Sequence, residues 1–161
     1  MSNLTFALQA AALTALNGSG SFLYQSAEQA ELSAQDHALP LIVCYDFTTS
    51  QTGPASRVEA AGLTLYFADA RPGASDDPVE HHAAVARMEA LKRRFLAALD
   101  AGPLVQLDGI RATPFTGYTS SELDGVGCQL TLTVPAASLC VTAAPAPAPA
   151  PFASFVSVVA A

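Results

Sequence analysis

From Cys128 to Val134 apolar and polar residues alternate without a break: Cys128, Leu130, Leu132 and Val134 against Gln129, Thr131 and Thr133. A period of two is the signature of a β-strand with one face on a core and the other turned away. A second alternation, Leu63, Leu65 and Phe67 against Thr64, Tyr66 and Ala68, predicts a strand within residues 57–69. The run Leu41–Phe47 opens with four consecutive apolar residues after Pro40, the pattern of a strand buried on both faces at its start. Thr48–Pro54 reads as a turn broken by Gly53-Pro54. Leu104–Arg111 reads as a further strand, interrupted at Asp108-Gly109, and a loop of Thr113–Gly127 separates it from the last one. That loop is longer than most connections between paired strands, which marks it as a candidate contact region.

Helical spacing appears twice. In residues 4–16, Leu4, Leu8, Ala11, Ala12 and Ala15 share a face, which Phe6, Leu13 and Leu16 broaden; Asn17–Gly20 stops the helix. Asp76-Asp77-Pro78 opens the second helix: acids favour the positive end of the helix dipole, and proline is tolerated in the first turn. Val85, Met88, Leu91, Phe95 and Leu99 form its apolar stripe, and Ala101-Gly102-Pro103 ends it. Within residues 22–32 the pattern is mixed: Ser21–Tyr24 fits the start of a strand, and Ala27–Leu32 fits either a short helical turn or a polar edge strand. The sum is an α+β domain over residues 1–141: a small mixed or antiparallel sheet packed by two helices, in the order helix, strands, long helix, two strands.

After Val141 the composition changes. Ala143–Pro151 is a Pro-Ala alternation that favours an extended, stiff rod. Beyond it Phe152, Phe155, Val156, Val158 and Val159 make the chain apolar again. Residues 142–161 therefore read as a linker and an arm. Two readings stand for the arm: it packs on its own domain or stays without fixed structure, or it reaches a neighbouring subunit and adds to an open sheet edge.

The charge balance narrows the function. Fourteen acidic against seven basic residues give a net charge of −7, which argues against a nucleic-acid binder, whose basic residues displace counterions from phosphates. Charged residues are 13% of the chain, about half the usual share, which hints at surface covered by other subunits. No apolar run is long enough for a membrane span, and the N-terminal segment reads as an amphipathic helix rather than a signal peptide, since no Lys or Arg precedes it.

Chemistry-bearing motifs are scarce. Glu80, His81 and His82 with Asp76 and Asp77 form the densest group of candidate ligands, but adjacent helical residues point about 100° apart, so a solvated helix start is the expected state. Cys44 with His37 and Asp46 could mimic a nucleophile and its base, yet Cys44 lies in the most apolar strand, where a thiolate is costly. Cys44, Cys128 and Cys140 read as buried free thiols. Lys92, Arg93 and Arg94 form either a solvated helix face or a contact to an acidic neighbour, such as Asp76 and Asp77 of another copy. No catalytic residue, cofactor or metal is expected; the expectation is assembly, with Lys92, Arg93, Arg94, Asp76, Asp77, Phe152, Phe155 and Val156 as candidate subunit contacts.

Leu39-Pro40-Leu41-Ile42-Val43, the helix from Pro78-Val79 through Met88-Glu89-Ala90-Leu91 to Phe95 and Leu99, and Gly125–Leu132, taken in this order, resemble the tail-terminator or tail-completion proteins of tailed bacteriophages and related contractile particles. The resemblance spans residues 1–141, and the Pro-Ala tail departs from it. It implies a closed homo-oligomeric ring, usually a hexamer, at the end of the tail tube in the virion neck, assembled in the host cytoplasm. The ring stops tube polymerisation and meets the tail-tube and head–tail connector proteins. The sheet face carrying Thr64, Tyr66, Gln129, Thr131 and Thr133 would serve subunit or lumen contacts. At −7 per copy the ring would be an acidic annulus that repels DNA passing through it, whereas a lumen lined by Lys92, Arg93 and Arg94 would contradict this. The alternatives are another structural subunit of the same particle (connector, tube or baseplate) and a small ligand-binding or catalytic domain.

Overall fold

The computed structural model describes residues 3–24, 37–51, 59–70, 78–116 and 123–134. Their elements run α1 (Asn3–Leu16), β1 (Ser21–Tyr24), β2 (Leu41–Gln51), β3 (Glu59–Ala70), α2 (Pro78–Asp100), β4 (Gln106–Phe115) and β5 (Leu123–Val134). The strands form one mixed sheet in the order β1-β2-β3-β5-β4. β1 is parallel to β2, and all other neighbours are antiparallel. The fold is α+β, as the alternating and helical spacings require.

Both helices lie on one face of the sheet. Leu63, Leu65 and Phe67 of β3 and Val126, Cys128, Leu130, Leu132 and Val134 of β5 point into a core closed by Leu4 and Leu8 of α1 and by Met88, Leu91, Phe95 and Leu99 of α2. Phe67 meets Phe95 edge to face at 5.6 Å between ring centroids, the geometry aromatic quadrupoles favour. Leu41 through Cys44 are all buried, because successive side chains enter different clusters. Ile42 and Cys44 join the helix-side core, while Leu41 and Val43 join a smaller cluster with Ala68 and Leu123 on the opposite face. Tyr45, Tyr66 and Phe115 pack against that second cluster, with Tyr45 stacked on Tyr66 at 4.7 Å.

Two glycines are fixed by space. Gly20 has φ +98°, and a Cβ there would sit 2.2 Å from the Pro40 carbonyl oxygen, which accepts the Ser21 N–H at 3.0 Å. This tight approach sets β1 beside β2. At Gly125 a Cβ would lie 1.9 Å from the Phe67 carbonyl oxygen, so only glycine lets β5 close on β3 there.

Several expectations change. Phe6 and Leu13 do not broaden the buried face of α1; they are 60% and 61% exposed, because the inner stripe Leu4, Leu8, Ala11, Ala12, Ala15 already fills the contact. The turn expected over Thr48–Pro54 does not begin at Thr48: β2 continues to Gln51, which pairs with Glu59 after a register shift between Tyr45 and Thr48, and residues 52–58 lie outside the described ones. The Thr113–Gly127 loop contracts at both ends, since β4 reaches Phe115 and β5 begins at Leu123. Cross-strand pairing of Thr113 with Gly127 and Phe115 with Gly125 overrides the turn-rich local sequence. The break at Asp108-Gly109 is a bulge between Leu107 and Gly109. Of the sheet face expected to be open, Tyr66, Thr64 and Thr133 are half-buried; Gln129 and Thr131 are exposed.

Candidate functional site

The outer face of α1 is the least ordinary surface of the fold. No residue of Asn3–Leu16 carries a charge. Helices on a globular surface turn charged or polar residues to water; one that is apolar nearly all round is normally buried. Here Phe6, Ala10 and Leu13 follow each other at helical spacing and are exposed. Phe6 and Ala10 border an apolar groove of about 200 Å³ between α1 and the segment after α2, lined also by Thr14, Pro103 and Leu104.

The second surface is the β4 side of the sheet. β4 is an edge strand, exposed or half-buried throughout, with Ile110 51% exposed. Across the face away from the helices, β4, β5 and β3 form a groove of about 450 Å³, with Tyr66 and Gly127 in its floor and Arg111, Thr113, Phe115, Thr64 and Gln129 around it.

The cationic triplet divides. Arg93 and Arg94 are exposed, but Lys92 is buried and its Nζ lies 2.5 Å from the Glu89 carboxylate. Lys92 is therefore neither part of a solvated face nor presented to a partner; the helix rotation that buries Leu91 and Phe95 carries it inward. Asp76, Asp77, Phe152, Phe155 and Val156 lie outside the described residues.

Sequence reasoning misses one polar site. His81, expected on a solvated helix start, is 14% exposed, and its Nδ1 lies 2.6 Å from Oδ2 of the fully buried Asp124. Asp69, directly across from Asp124 on β3, accepts the Arg87 Nε–H at 3.1 Å. Two carboxylates on adjacent strands thus each receive a basic side chain from α2, which fixes the helix's first half over the β3–β5 seam. A signal existed: His81 precedes Ala84, Met88, Leu91, Phe95 and Leu99 at steps of three and four, so it belongs to the buried stripe. Its partner could not be read, because the pair joins elements 43 residues apart.

Cys44 and Cys128 are buried free thiols. Burial pushes the Cys44 thiol up to about 12 and raises Cys128 as well, which makes both poor nucleophiles. Cys140 lies outside the described residues, and His37 is exposed. Among the described residues no three His, Cys, Asp or Glu side chains are grouped to hold a metal ion, and no helix is long and apolar enough to cross a membrane. Compared with known proteins, the sequence matches no family model and no curated protein.

Proposed function

We propose that this chain is a structural subunit that assembles with its own copies into a closed ring and terminates a phage-type tail tube. The observation that carries the reading is the uncharged outer face of α1, where Phe6 and Leu13 stand in the open and Phe6 borders an apolar groove. Full burial of a Phe or Leu side chain stabilises by about 1.5–3 kcal/mol, so leaving both in water forfeits an association energy that a neighbour would recover. A ring needs two different patches that meet head to tail. The α1 face is one; the β4 side of the sheet, on another part of the molecule, supplies a second. Arg93 and Arg94 suit an acidic neighbour, and the Asp76-Asp77 segment is the acidic sequence that precedes α2. The tail tube and the head–tail connector are the proposed partners, in the virion neck, with no cofactor and no catalytic step.

Negative-stain imaging of the purified chain tests this reading. Closed annular particles are expected, and their addition to polymerising tube subunits should shorten the tubes. Open filaments formed by the chain alone would point to a tube subunit instead. The groove over Tyr66 favours one other reading, a small-ligand domain, which requires a monomer with a compound seated between Arg111 and Gln129.

A further inference from the structure

We infer that the outer edge of β4 is a docking edge for the apolar segment Phe152–Val159 of a second copy, which adds there as an extra strand. The inference rests on the assembly reading and names the partner of the β4 side.

The two edges of the sheet are unequal. β1 offers four residues; β4 offers ten, seven of them exposed and none buried. Edge strands present unpaired backbone groups and are usually guarded by bulges, proline or charge. β4 carries such guards at its ends, a bulge at Asp108 and a proline at 114, where no N–H is available. Between them Gly109–Thr113 runs without a break in pairing to β5. Ile110 in that stretch is half exposed although it pairs with buried Leu130, because it projects past the cover of the helices. A further strand would supply the missing side-chain neighbour as well as backbone partners.

The chain itself carries a suitable strand. Residues 152–161 hold no charge and are rich in Phe and Val, the residue types enriched in strands. The length of the connection favours a second copy over the same one. β5 ends at Val134, next to the start of β4, where Thr133 pairs with Gln106. From there the outer side of the same β4 is only two strand spacings away, about 10 Å. The Ala143–Pro151 segment as a polyproline-type rod spans about 28 Å, which overshoots that edge and carries Phe152 toward a neighbour.

The test uses the full chain with Cys140→Ser, mixed from two preparations, one with Thr113→Cys and one with Val156→Cys, under a mild oxidant. A disulfide joining one chain of each kind, identified by mass, is expected. No mixed disulfide in a sample that still images as rings overturns this inference and leaves the ring reading standing. Mixed disulfides in a sample without rings would do the reverse. A chain carrying both cysteines that closes only on itself also overturns the exchange. Hydrogen exchange gives a readout free of the cysteine variants: those amides of Ile110–Thr113 that point away from β5, every second one, should exchange at least about tenfold faster after deletion of residues 143–161, the loss of roughly one hydrogen bond's net stability. Equal rates in the two chains overturn the proposal.

Discussion

The two helices lie side by side on one sheet face, and they differ on the side that the sheet does not see. α2 buries Ala84, Met88, Leu91, Phe95 and Leu99 and turns Arg87, Arg93, Arg94 and Asp100 outward. α1 buries Leu4, Leu8, Ala11, Ala12 and Ala15 and turns Phe6, Gln9, Ala10, Leu13 and Thr14 outward. Their inner faces obey the same rule, the burial of apolar area against a common core. Their outer faces differ in what they can meet: charged side chains that suit water or an acidic neighbour on α2, and an uncharged surface that on our reading meets another protein on α1. A core alone does not explain an uncharged outer face, because the exposed side of a helix contributes little to folding stability.

The largest effect expected separates the inner faces from everything else. Phe95→Ala removes the ring packed on Phe67 and should cost about 3–5 kcal/mol in urea unfolding. A loss below 1 kcal/mol would mean the α2 stripe is not the core the structure shows.

Next comes the outer face of α1. Phe6→Glu with Leu13→Glu should leave the unfolding midpoint nearly unchanged and weaken self-association at least about 100-fold, the equivalent of burying about two apolar side chains incompletely. The matching change on α2, Ala86→Glu at an exposed position, should alter stability by no more than about 0.5 kcal/mol and leave self-association unchanged. If both double and single variants behave alike in sedimentation, the contrast between the helices has no functional content.

A smaller effect tests the polar anchor of α2. His81→Ala withdraws a hydrogen-bonding partner from buried Asp124 and should cost about 1–3 kcal/mol. His82→Ala, one residue on and exposed, should be neutral.

A further effect is alkaline and grows with pH. Burial pushes the Cys44 thiol from 9.0 to about 12. The unfolded chain therefore loses this proton first as pH rises, so the stability contribution is complete below pH 9 and declines between pH 9 and 12. The urea midpoint should fall across that window, and Cys44→Val should flatten the fall, as circular dichroism at fixed pH values would report.

These comparisons also mark what a linear reading can reach. Periodicity located the α2 stripe from Val85 to Leu99 and the inward residues of β5 from Cys128 to Val134, because a local repeat reports directly on which face is buried. It failed where a residue's state depends on a distant element. His81 is buried because Asp124 waits on β5; Phe6 is exposed because Leu4 and Leu8 already fill the α1 contact; Thr113 joins a strand because Gly127 pairs with it. The edge position of β4 belongs to the same class, since only the strand order places β5 inside and β4 outside. The candidate surfaces follow from these long-range facts, which is why composition hinted at covered surface without saying where it lies.

Sedimentation of the full chain over a wide concentration range tests the central claim most directly. The account predicts a discrete particle whose mass is a fixed multiple of the single chain and which Phe6→Glu with Leu13→Glu converts to monomer. A single-chain mass at every concentration, unchanged by those two substitutions, would contradict it.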